Sequence, residues 1–196
     1  KYDWGIRVDE GVARVRKQIL SFLNKSDSEY TVAFTLHTTY GINLVLNQLP
    51  ARFKKIITSD IEHNSVFLPS IQAAKRFGIP RMVLSRLTDG SLQYTSGDLS
   101  RAIVIVNSTS NIDGRSLENL RGVIKDAHDQ GGIVLVDAAQ GLSHNPSLLR
   151  SCDFDALFFS GHKLYGPSLG VIAFKKALVS ELDISLIVGG MVEDVH

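Results

Sequence analysis

The chain has 196 residues, 44% of them hydrophobic, which is enough to bury a sizeable core in one globular domain. Twenty-one Lys and Arg against 20 Asp and Glu leave a net charge of +1 without a block of like charges, so no nucleic-acid footprint is expected, and Arg52, Lys54 and Lys55 read as a solvated helix end. The single cysteine, Cys152, excludes an internal disulfide framework and a cysteine-rich metal site, and no apolar run approaches the roughly 20 residues that cross a bilayer.

The default expectation is a cytoplasmic protein with no membrane partner. Lys1-Tyr2-Asp3-Trp4 has neither the charged nor the apolar region of a signal peptide. The start without methionine and the stop at Val195-His196 lead us to expect a piece of a longer protein.

Taken in chain order, Val8, Val12, Val15, Ile19 and Leu23 recur at helical spacing and predict an amphipathic helix over 8–23, ending at Asn24-Lys25-Ser26. Short apolar runs predict strands at 31–36, 55–59, 81–84 and 102–106, with helices over 40–49, 66–77 and 116–130. Further strands are expected at 133–136, 156–159 and 170–174. There is no internal repeat and no low-complexity linker. This alternation is the signature of an α/β fold, a mostly parallel, mixed sheet with helices on both faces. Ligands of such sheets sit at the carboxyl ends of the strands, so polar residues just after strands are the candidates for a site.

The apolar run 154–159 delivers Ser160-Gly161-His162-Lys163, followed by Gly166-Pro167. Lys163 then stands at the end of a buried strand, where an apolar setting and a nearby cation favour the neutral amine that condenses with an aldehyde. The plainer alternative is an exposed surface lysine. Residues 133–136 deliver Asp137, whose charge after four apolar residues calls for a cation. A pyridinium nitrogen would serve, because a protonated ring accepts electron density when a bond to an amino-acid Cα breaks. An aspartate capping the next segment is the alternative. Gln140 is placed to reach a ring hydroxyl oxygen, or belongs to an ordinary loop. Together these residues point to a pyridoxal phosphate pocket.

Thr38 and Thr39 lie between a strand and a helix start, where backbone N–H groups and the helix dipole attract a phosphate; simple N-caps would look the same. Ser160 and His162, on the turn of the lysine, are further phosphate donors or turn caps. His63, in Glu62-His63-Asn64-Ser65, follows a strand and is positioned to lie over the ring. Asn111, in Ser108-Thr109-Ser110-Asn111, follows another, and contact with ring or substrate competes there with turn formation before Gly114. His128, His144 and Cys152 are weaker candidates. Cys152 precedes its strand, on the side away from the pocket, and is not expected to be a nucleophile. No metal site is expected.

In order, Thr38-Thr39-Tyr40-Gly41-Ile42-Asn43, Glu62-His63-Asn64-Ser65, Ser110-Asn111, Asp137-Ala138-Ala139-Gln140 and Ser160-Gly161-His162-Lys163-Leu164-Tyr165-Gly166-Pro167 resemble the class V aminotransferase family of fold-type I pyridoxal-phosphate enzymes. Within it the likeness is to the cysteine desulfurase and selenocysteine lyase branch, and it runs over about residues 34–190. The resemblance implies that 1–196 is the large, cofactor-binding domain, with the small C-terminal domain absent. It implies that Lys163 carries the cofactor covalently, Asp137 pairs with the pyridine nitrogen, Gln140 meets the ring oxygen and His63 stacks on the ring face. Thr38, Thr39, Ser160 and His162 would surround the phosphate, with Asn111 near the ring oxygen and the substrate carboxylate. Lys163 and His63 would be the catalytic pair.

By the same likeness the expected activity is removal of sulfur from L-cysteine to leave alanine. The alternatives are a class V aminotransferase, another pyridoxal-phosphate-dependent lyase, or a truncated module that binds cofactor without turnover. The implied partners are an amino-acid substrate, a second copy forming a homodimer, and a sulfur-acceptor protein. The chain departs from the family pattern in three places. His37 stands where relatives usually carry glycine, and Tyr40 where many carry an acidic residue. The family's sulfur-accepting cysteine and carboxylate-binding arginine have no matching position here.

Overall fold

Ala102-Ile103-Val104-Ile105-Val106 and Ile133-Val134-Leu135-Val136 are apolar at every position, so both faces of each strand need cover, and such strands belong at the centre of a two-sided sheet. In the computed structural model they are adjacent central strands, and every one of their residues is buried. The structure describes residues 2–183; residue 1 and residues 184–196, where the family likeness reaches its end, lie outside the described residues.

The strands are β1 (Tyr30–Thr35), β2 (Lys55–Ser59), β3 (Arg81–Leu84), β4 (Ala102–Asn107), β5 (Ile133–Asp137), β6 (Ala156–Ser160) and β7 (Gly170–Lys175). They form one sheet in the order β1-β7-β6-β5-β4-β2-β3. Every pairing is parallel except those of β7, which runs antiparallel to both β1 and β6. Six strands therefore share a direction, and the expected mixed, mostly parallel α/β architecture is borne out.

The helices are α1 (Asp3–Phe22), α2 (Thr38–Leu46), α3 (Asn64–Phe77), α4 (Leu120–His128), α5 (Gly141–His144), α6 (Pro146–Arg150) and α7 (Lys176–Glu181). One face of the sheet packs Val104, Val106, Val134, Val136 and Leu157 against α4, α6 and the end of α1. The other packs Ile103, Ile105, Leu135, Ala156 and Phe158 against α2, α3 and α7. Alternate residues of each strand thus serve opposite cores, as the period of two requires.

All four expected helices differ from their expected spans, α3 only in starting two residues earlier, at Asn64. Helix α1 begins at Asp3, and of its residues only Leu20 is buried; Val8 and Val15 stay 43% and 41% exposed because just the end of the helix reaches the sheet. Helix α2 begins at Thr38 because the His37 side chain caps it. Helix α4 begins at Leu120 because the preceding segment has other partners: Ser116 bridges to Thr109, and the Asn119 amide exchanges hydrogen bonds with both backbone groups of Leu92 at 2.9 and 3.0 Å. No helix among the described residues is long and apolar enough to cross a membrane.

Candidate active site

The carboxyl ends of the six co-directional strands share one edge of the sheet, and β7 begins there. Gly170, the first residue of β7, sits opposite Thr35 and Ser160 in the two neighbouring strands. A Cβ at this position would overlap Thr35 Oγ1 and the His37 carbonyl group. Glycine thus lets the chain beyond β1 close onto the end of β6. There Thr38 Oγ1 and Ser160 Oγ lie 2.5 Å apart, and the Thr38 N–H points to the same Ser160 oxygen at 3.4 Å. Thr38 and Ser160 are both buried.

Beyond Ser160 the chain leaves the sheet in a short 3-10 turn, Gly161–Leu164, that returns it to β7. The Gly161 N–H donates to Leu169 O and the Gly166 N–H to Gly161 O, both at 2.9 Å. Tyr165, at φ +60, closes the turn in a left-handed conformation. His162 and Lys163 ride on this turn and both are exposed. The apolar surroundings expected for Lys163 are therefore not found: the buried run stops at Ser160, and the amine faces an open cavity.

Asp137 ends β5 in register with Asn107 of β4 and Phe158 of β6. It is 4% exposed and accepts the Ala139 N–H at 2.9 Å. Burial pushes its carboxyl above the usual carboxylate range, opposed by that hydrogen bond and by the positive charge of Lys163. Next to it, Glu62 is also buried; its Oε1 accepts the Ser59 hydroxyl at 2.5 Å and its Oε2 accepts the Asn107 N–H at 2.8 Å. Burial pushes the Glu62 carboxyl up to about 7; the Ser59 hydrogen bond opposes this and the Asp137 charge adds to it. Glu62 was not among the residues expected at a site. The signal that singled out Asp137, a carboxylate placed just after an apolar strand, was available for Glu62 as well.

Two histidines cap helices at this edge. His37 Nδ1 accepts the Tyr40 N–H at 3.2 Å, and His63 Nδ1 accepts the Ser65 N–H at 3.1 Å. The Ser65 hydroxyl lies 2.8 Å from His63 Nδ1 and 2.7 Å from Thr39 Oγ1. His37, the departure from the family's glycine, thereby has a structural role at the start of α2.

All the residues expected at a site, Thr38, Thr39, His63, Asn111, Asp137, Gln140, Ser160, His162 and Lys163, line one cavity of about 200 Å³. Ser65, Asn107 and His37 line it too. Asn111 takes part in the turn that competed for it in the sequence, with the Gly114 N–H bonded to Ser110 O at 3.0 Å, and still faces the cavity. Asn111 and Gln140 also border a second, polar cavity that His144 lines. Two weaker candidates lie elsewhere. His128 Nε2 meets Asp155 Oδ2 at 2.7 Å at the amino end of β6. Cys152 is buried, and burial pushes its thiol up. Arg52 pairs with Glu181 at 2.7 Å on the surface.

The aminotransferase class-V family model matches residues 1–196. A cysteine desulfurase of Pectobacterium atrosepticum is 33% identical over 177 residues, 86% of this chain and 43% of the relative. One of Shigella sonnei is 36% identical over 183 residues, 88% of this chain and 44% of the relative. Among solved structures, the cysteine desulfurase CsdA from Escherichia coli superposes with a TM-score of 0.82 at 28% identity, covering 100% of this chain and 51% of that one. The cysteine desulfurase of Thermococcus onnurineus NA1 gives 0.78 at 31% identity, covering 92% and 46%. The chain spans less than half the length of these two curated relatives.

Proposed function

The chain belongs to the aminotransferase class-V family, and from that premise we propose that residues 1–196 are the cofactor-binding part of a pyridoxal-phosphate-dependent enzyme that removes sulfur from L-cysteine. The observation that carries this reading is the convergence of an amine, Lys163, and a buried carboxylate, Asp137, on one cavity together with the His63 imidazole.

The residues present fit this cofactor. Asp137 is a desolvated carboxylate whose one side-chain hydrogen bond among the described residues comes from a backbone N–H, so a cation brought into the cavity would offset the cost of its charge. The start of α2, with Thr38 and Ser160 beside it, offers hydroxyl donors and a positive helix end to a phosphate. Lys163 offers the amine that condenses with an aldehyde.

When bound, pyridoxal phosphate supplies an electron sink for negative charge at the substrate Cα. Asp137 would keep the proton on the pyridine nitrogen, and Gln140 would meet the ring oxygen. The Lys163 amine is the group on this chain that would take a proton from the substrate Cα or return it. Thr38, Thr39, Ser160 and His162 would orient the phosphate, His63 would cover the ring, and Asn111 would face the substrate carboxylate.

The whole protein would act as a homodimer that passes sulfur to an acceptor protein in the cytoplasm. Exposed apolar residues adjoining cavity residues in sequence support a second copy at the site: Leu36 is 70% exposed and Ile112 is 66% exposed. Cys152, buried and unpaired, agrees with a reducing compartment. The full-length protein, reconstituted with pyridoxal phosphate, is expected to produce alanine and sulfide from L-cysteine. Transfer of the amino group to a keto acid with the sulfur retained would assign the aminotransferase reaction instead.

A further inference from the structure

We propose that Ser65 is a positioning residue that, backed by Thr39, holds His63 as the single neutral tautomer with its proton on Nε2.

His63 is an unusual helix cap. Caps of this kind are normally short oxygen-bearing side chains, whereas here a ring nitrogen takes the N–H of Ser65, the second residue of α3. The Ser65 backbone N–H can only donate, so the nitrogen that accepts it at 3.1 Å, Nδ1, carries a lone pair and no proton. In a neutral imidazole the proton then resides on Nε2. The direction of the next link follows. Ser65 Oγ lies 2.8 Å from the same lone-pair nitrogen, so its hydroxyl hydrogen points to Nδ1. The oxygen has spent its hydrogen there and accepts from its remaining neighbour, Thr39 Oγ1, at 2.7 Å. A one-way chain results, from Thr39 to Ser65 to His63.

Two consequences follow. The Thr39 hydroxyl hydrogen is committed to Ser65, so Thr39 can orient a phosphate through its backbone N–H but not as a hydroxyl donor. The chain also clips the start of α2 to the start of α3, so the anion end of one helix and the imidazole at the head of the other move together. That His63 then presents its Nε2–H toward a bound ring rests on the function proposed above; the tautomer does not.

The test uses the cofactor-free chain labelled with 15N-histidine, at a pH where the ring is neutral. Long-range proton–nitrogen correlation spectra distinguish Nε2–H from Nδ1–H, and His63→Gln identifies the signal. The wild type is expected to show the Nε2–H pattern. Ser65→Ala, which keeps the backbone donor but removes the hydroxyl, is expected to raise the Nδ1–H fraction about fivefold, the effect of losing one hydrogen bond. Ser65→Thr, which keeps the hydroxyl, is expected to preserve the wild-type pattern. An Nδ1–H signal in the wild type, or an unchanged pattern in Ser65→Ala, overturns the proposal. Neither result depends on whether the chain binds pyridoxal phosphate.

Discussion

The carboxylate of Glu62 accepts the backbone N–H of Asn107 at 2.8 Å, so a buried acid following β2 holds the carboxyl end of β4. Burial raises the Glu62 carboxyl from 4.5 to about 7, the Ser59 hydrogen bond opposing and the Asp137 charge adding to the rise. Between these values the folded chain holds a proton that the unfolded chain has released. The associated stability is complete below 4.5 and is lost as pH rises through about 7. Asp137, also raised, acts in the same direction. Thermal melts of the cofactor-free chain should therefore show stability falling across this range by a few kcal/mol. Glu62→Gln should flatten the profile, and an unchanged slope in that variant would refute the assignment.

Asp137→Asn should separate stability from binding. The amide oxygen can still accept the Ala139 N–H, and the desolvated charge is gone, so the cofactor-free variant should be at least as stable as the wild type at neutral pH. Its affinity for pyridoxal phosphate should drop by about tenfold or more, equivalent to ~1.4 kcal/mol. Denaturant unfolding and an absorbance titration measure the two effects. Parallel losses in both would mean that the carboxylate serves the fold and not the ligand.

Gly161→Ala tests the turn that carries the amine. A Cβ at this position would lie 2.5 Å from the Pro167 carbonyl oxygen, a backbone atom that cannot move without displacing His162 and Lys163. Cofactor affinity should fall on the order of tenfold, while the melting temperature should change little because the turn contains no buried side chain. A variant with wild-type affinity would show that the turn tolerates the displacement.

Phe158→Ala addresses the wall behind the site. Phe158 is fully buried in β6 and lies opposite Asp137 in register. Truncation should cost about 3–5 kcal/mol, measured by denaturant unfolding. A loss below about 1 kcal/mol would mean that the surrounding core collapses into the space.

Strand positions were the most legible part of the sequence, because wholly apolar runs such as 102–106 and 133–136 leave few alternatives in an alternating chain. The reversal of β7 was not legible; it depends on the tight Gly161–Pro167 contact and on Gly170 passing Thr35 without a side chain. The short helices α5, α6 and α7 have too little periodicity to announce themselves. The site residues were found by one rule, polar residues after strands, and that rule brought Asp137, His63 and Lys163 to a common cavity. It failed on surroundings. Lys163 looked buried because its strand is, yet the chain turns outward at Gly161. The partners of Glu62 and Ser65, Asn107 and Thr39, come from other segments and become neighbours only when the strands align.

The kinship with cysteine desulfurases, read from five short motifs, is borne out along the chain. Two of the three departures from the family pattern, His37 and Tyr40, meet each other locally. His37 supplies the cap of α2, and Tyr40 supplies the N–H that the cap accepts, with the two rings edge-to-face at 6.4 Å.

The most direct test of the central claim is to treat the chain with pyridoxal phosphate, reduce with borohydride and locate the adduct by peptide mass. One dominant adduct is expected, on the peptide containing Lys163, and it should be lost in Lys163→Ala. Adducts spread evenly over surface lysines, or undiminished in Lys163→Ala, would contradict it.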